Sequence, residues 1–133
     1  MFATMLFAIS IVALSQFVAY YWRAMLAGTA AQPISDRILV AIGVQNGQLT
    51  GQNFPTLLSI HDLTPELNSG SNGLFLVRVY YRIVDAINFL AGRSPAIAAW
   101  SQRERTVCAR YAAVQIDRRW QANLDLAASL RSC

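Results

Sequence analysis

Apolar residues are arranged in two ways along this chain: first an unbroken run, then spaced stripes. Residues 2–22 carry no charged side chain. Apart from the closing aromatics, their only polar groups are Thr4, Ser10, Ser15 and Gln16. A helix rises about 1.5 Å per residue, so about 20 residues cross a hydrocarbon core roughly 30 Å thick. The run predicts a transmembrane helix. It ends in Tyr20-Tyr21-Trp22-Arg23, rings suited to headgroup depth followed by a guanidinium that can snorkel outward. These four are the candidate membrane-interface residues. Hydroxyls can bond to carbonyls of their own helix, whereas the Gln16 amide prefers a partner and marks a candidate helix–helix contact.

Three other readings compete with a single-pass anchor. A cleaved signal peptide calls for a basic start and a shorter apolar core, but here Met1 is followed directly by apolar residues. Arg23 also precedes the first small-residue site near Ala27. Length and the aromatic–Arg end argue against a core helix of a soluble protein. An apolar helix packed in a pilin-like filament is physically similar to a span and stays open. No basic residue precedes the run, while Arg23 and Arg37 follow it. The positive-inside bias then places the C-terminal part in the cytoplasm.

Beyond the run the pattern is helical. Residues 24–32 continue the first helix until Pro33, because the residue before proline disfavours helical angles. Ser35 is placed to cap a helix over 36–45, with Asp36 in the first turn. A β-hairpin competes there, since Ile38, Val40, Ile42 and Val44 alternate before Asn46-Gly47. Asn53-Phe54-Pro55 reads as a cap and first turn for a helix over 54–63. A further turn is expected from Thr64-Pro65 to Leu67, then a loop over 68–73.

Within 73–91, Leu76, Tyr80, Ile83, Ile87 and Leu90 recur at spacings of four and three and form the expected core stripe. Arg82 and Asp85 are spaced to pair on another face. Gly92 stands at a C-cap position, and Ser94-Pro95 restarts a helix running nearly to the end of the sequence. So short a break predicts an antiparallel hairpin. The second arm is much the longer. Its stripe Cys108, Ala112, Ile116, Trp120, Leu124 and Ala127 is either covered by the earlier short helices or left open to a partner.

Composition sharpens this picture. The 133 residues include 11 Arg, no Lys, seven acids, one His and two Cys, for a net charge of +4 with 14% charged residues. A soluble domain averages about 25% charged. A large multidomain enzyme, a disulfide scaffold and an acidic disordered tail are excluded. Of the 18 charged residues only Arg23 precedes Asp36, so the apolar run explains much of the deficit.

Chemistry is sparsely indicated. His61-Asp62 is the one His–acid neighbour pair, and adjacent helical residues point about 100° apart, which is no relay. Cys108 sits on an apolar stripe, as an ordinary buried thiol does. One continuous helix would hold Cys108 and Cys133 roughly 37 Å apart, beyond disulfide reach. No zinc spacing, phosphate-binding glycine loop or GxSxG occurs, so no catalytic, metal or cofactor residue is nominated. Arg103, Arg105, Arg110, Arg118 and Arg119 are interleaved with Glu104, Asp117 and Asp125 and share no narrow stripe, which argues against nucleic acid.

The expectation is therefore an all-α chain: a transmembrane helix with its extension over 1–32 and a helical domain over 33–133. Within the domain, short helices and loops fill 33–72 and the hairpin occupies 73–131. Its expected role is that of a membrane-anchored, non-enzymatic interaction or adaptor subunit. The bilayer and a protein partner, or a second copy, are its expected contacts, with Ile116, Trp120 and Leu124 as candidate partner-binding residues. The alternative is a structural subunit whose apolar helix packs in the core of a larger assembly.

Overall fold

The computed structural model describes residues 1–44, 48–63 and 72–133, and among them no strand occurs. Five helices follow one another: α1 (Phe2–Ala30), α2 (Asp36–Ala41), α3 (Phe54–Leu63), α4 (Asn72–Ala91) and α5 (Pro95–Arg131). A single 3-10 turn, Gly51–Asn53, precedes α3. The expected bounds hold for α1, α3 and α5. The turn expected over 64–67 and most of the loop over 68–73 lie outside the described residues, while Asn72 and Gly73 are already helical.

Every other element packs on α5. Its middle is buried on several sides at once, through Ser101, Glu104, Cys108, Ala109, Tyr111, Ala112, Ala113, Val114 and Ile116. Three alanines and a cysteine leave little side-chain bulk there, and helix axes approach more closely where contact residues are small. Leu26 from α1, Ile38 from α2, Phe54 and Leu57 from α3, and Val77 from α4 join them in one core. Each large side chain buried in this way contributes about 1.5–3 kcal/mol.

Three local features differ from expectation. Ser35 holds the extended N-cap geometry of α2 but does not cap with its side chain; its Oγ donates to Asp117 Oδ1 at 2.6 Å. The helix stops after six residues at Gly43, whose φ of 75° lies in the left-handed region that glycine adopts freely. No hairpin strand forms from Ile38 to Val44, and Asn46-Gly47 lies outside the described residues. Asn53 folds back on Thr50, accepting from its Oγ1 at 2.6 Å and its N–H at 3.3 Å. Gly51 lies so close to α5 that a Cβ would collide with Arg105 Cβ, so this glycine is set by close approach.

The larger correction concerns α4. Its buried side chains are Leu74, Val77 and Val84, with Tyr81 stacked on Phe54 at 4.3 Å between centroids. Of the expected core stripe only Tyr80 packs against the core; Leu76, Ile83, Ile87 and Leu90 are exposed. The helix is apolar on two faces, and the face that meets α5 is the one with the shorter valines. Asp85 also pairs differently, with Arg105 of α5 rather than with Arg82 of its own helix.

The stripe on α5 is both covered and open. Cys108, Ala112 and Ile116 are buried, Trp120 is half-buried against the core, and Leu124 and Ala127 are exposed. The other elements, long helices included, thus cover its first half only.

Candidate functional site

Two places concentrate unusual surface or chemistry: the junction where α1 meets the domain, and the distal part of α5.

The junction is built on Glu104, a carboxylate only 5% exposed in the wrapped part of α5. Its Oε1 accepts from Arg23 Nη2 at 2.6 Å, and its Oε2 accepts from the Tyr80 hydroxyl at 2.7 Å. Three helices, α1, α4 and α5, therefore meet on one buried acid. An ionised carboxylate cannot sit in such a place without charge and hydrogen bonds to offset its lost hydration. Arg23 supplies the charge while its own side chain stays 57% exposed. Arg23, expected at the membrane interface, also reaches inward to Glu104.

Burial, then the hydrogen bond to Glu104, pushes the Tyr80 phenol well above its ordinary 10.0. One turn beyond Glu104, burial pushes the Cys108 thiol from 9.0 to about 12, and the nearby acid adds to this. A thiol so displaced stays protonated at neutral pH and is a poor nucleophile. The arrangement clamps three helices together.

The remaining polar side chains also tie elements together. Arg118 Nη2 donates to Gln32 Oε1 at 2.7 Å, and Arg78 pairs with Asp62 at 3.3 Å. His61 lies at the core edge, its side chain 11% exposed and its Nδ1 3.5 Å from Asp62 Oδ1. Among the described residues no group of three His, Cys, Asp or Glu side chains could hold a metal ion. Cys108 and Cys133 are both free thiols.

Distal α5 presents a different surface. Arg37, Trp120, Asn123 and Leu124 line one shallow depression, and Leu124, Ala127, Ala128, Arg131 and Ser132 line the next. Leu124 belongs to both, so they form one continuous strip with Trp120 at its base. Leu126 and Leu130 are exposed on other sides of the same helical segment. Of the three candidate partner-binding residues, Ile116 is 1% exposed and belongs to the core, so it presents no surface. Trp120 and Leu124 lie together on the strip.

The interface candidates split as well. Tyr20 and Tyr21 are exposed, whereas Trp22 packs partly against the core. Sequence reasoning missed Glu104, although a signal existed. Extending the Cys108 stripe back by one turn reaches this acid, and an acid on an apolar stripe implies a buried partner.

No family model, no curated protein and no solved structure matches this chain. Among the described residues one helix, Phe2–Ala30, is long and apolar enough to cross a membrane, and none of its most apolar stretch is buried by them.

Proposed function

We propose that the chain is a single-pass, membrane-anchored helical subunit that recruits a helical protein partner at the cytoplasmic face. The observation that carries this reading is the strip from Trp120 to Ser132, where α5 runs past its last covering helix with apolar residues exposed on one side. Trp120, Leu124, Ala127 and Ala128, with Arg131 at the far end, suit an amphipathic helix laid along the strip. Anchoring raises the local concentration of such a surface, so modest affinity suffices. The flanking arginines Arg23 and Arg37 support the inward orientation.

A photo-crosslinking residue in place of Leu124 tests this in native membranes. The expected result is a discrete protein adduct that Trp120→Ala weakens several-fold. Equal labelling from Leu124 and from Gln102, an exposed site off the strip, overturns it.

The second reading, a structural subunit whose apolar helix packs in an assembly core, draws on the same bare α1. Extraction separates the two. An adaptor leaves the membrane in mild detergent as a small species, whereas an assembly subunit stays in large particles.

A further inference from the structure

The exposed apolar face of α4 and the bare stretch of α1 both lead away from one point, the Glu104 carboxylate that Arg23 and Tyr80 share. Contacts between α1, its following segment and α5 fix their relative direction. Arg23 meets Glu104, Gln32 meets Arg118, and Ser35 meets Asp117. Both helices therefore advance in the same sense, and the start of α5 lies on the side toward which the apolar run of α1 extends. The turn between α4 and α5 lies there too. It stands about 16 Å along α4 beyond Tyr80 and about 13 Å along α5 before Glu104.

That tip is apolar where it faces α1. Ile83, Ile87 and Leu90 share a stripe with Tyr80, the residue whose hydroxyl meets the Arg23–Glu104 pair. On α5, Ile97 and Trp100 lie seven and four positions before Glu104 and so share its face. Leu90 is 82% and Ile83 51% exposed, while α1 is exposed throughout residues 2–21. Among the described residues α1 and α4 make no close backbone contact, so the two apolar surfaces stand apart beyond Trp22. Polar groups of the tip are turned to one another: Ser101 donates to Asn88 Oδ1 at 2.8 Å, and Asp85 pairs with Arg105. Arg78, Arg82 and Asp85 belong to the opposite side of α4, toward α3.

We propose that the α4–α5 hairpin tip is a second membrane contact, lying obliquely in the bilayer interface so that lipid acyl chains fill the wedge between it and α1. The inference rests on α1 being a span, because continuity with that lipid-facing surface selects acyl chains as the occupant. A helix that exposes an apolar stripe lies at the interface plane in this way, and Phe89, 89% exposed at the same tip, adds apolar surface on its other side. Arg93 at the turn reaches headgroups by snorkelling from such an oblique position.

Nitroxide labels test this on the full chain, with Cys108→Ala and Cys133→Ser removing the native thiols. The chain is reconstituted in vesicles of phosphatidylcholine and phosphatidylglycerol. Labels at Ile9→Cys, Ile87→Cys, Leu90→Cys and Gln102→Cys are compared for collision with oxygen and with a water-soluble nickel chelate. The expected pattern is oxygen access with nickel exclusion at positions 9, 87 and 90, and the reverse at 102. Nickel access at 87 and 90 with a lipid-exposed Ile9 overturns the wedge but leaves the span standing. Exclusion of both agents at 87 and 90 also overturns it, because a protein segment then fills the space. Nickel access at position 9 removes the span and the proposal with it.

Discussion

The two longest helices expose apolar surface at opposite ends, and the difference lies in what surrounds that surface. In α1 residues 2–21 are bare and Leu26 and Ala30 are docked; in α5 residues 101–116 are wrapped and the distal strip is bare. The bare part of α1 is apolar all round and carries no charge, which suits lipid or a protein core on every side. The bare part of α5 mixes Leu124, Leu126 and Leu130 with Gln121, Asp125 and Arg131, and a surface with charges among its apolar groups suits water and a protein partner more than lipid. Hydropathy alone does not separate docked from bare sections. Small residues and a paired acid mark the docked ones.

The largest expected effect breaks the docked end of α1. Arg23→Ala leaves Glu104 buried without its cation, and loss of one member of a buried pair costs about 3–5 kcal/mol. Because Arg23 is half solvated, the lower end, about 3 kcal/mol, is expected from thermal unfolding in detergent. Adding Glu104→Gln recovers part of the loss, since the orphaned charge is removed. Additive losses would show that the pair is not what holds α1 to the domain.

Next comes the same substitution at two places along the α5 stripe. Ala112 is fully buried and Ala127 exposed. Ala112→Leu overpacks the hub and costs about 1–3 kcal/mol, whereas Ala127→Leu stays within about 0.5 kcal/mol. Similar losses at both sites would mean that the distal stripe is covered.

A smaller effect sharpens the wrapped section through pH. Cys108 ionises near 9.0 when unfolded and at about 12 when folded. Between these values the unfolded chain binds fewer protons, so stability falls as pH rises, by no more than about 1.4 kcal/mol per pH unit. Tyr80 adds to the same trend above pH 10. Cys108→Ala flattens the decline measured from pH 9 to 10. An unchanged slope would show that the thiol is not buried.

Much of the fold is legible in the sequence where local chemistry decides. The uncharged run gives α1, Pro33 bounds it, Phe54-Pro55 starts α3, and Ser94-Pro95 starts α5. What could not be read locally depended on partners distant in the chain. Two apolar stripes compete on α4, and only the small-residue hub of α5 selects Leu74, Val77 and Val84 over Leu76, Ile83 and Leu90. Ser35 looks like a cap until Asp117, 82 positions away, takes its hydroxyl. The stripe that holds Trp120 and Leu124 is legible from spacing alone, but Ile116 continues it inside the core, and spacing does not say where cover ends.

The most direct measurement of the central claim is protease protection of a C-terminal tag on cells, combined with carbonate extraction of their membranes. The account predicts a tag protected in intact cells, digested after permeabilisation, and a chain retained in the carbonate pellet. Release of the chain by carbonate would contradict the span, and digestion of the tag in intact cells would contradict the inward orientation.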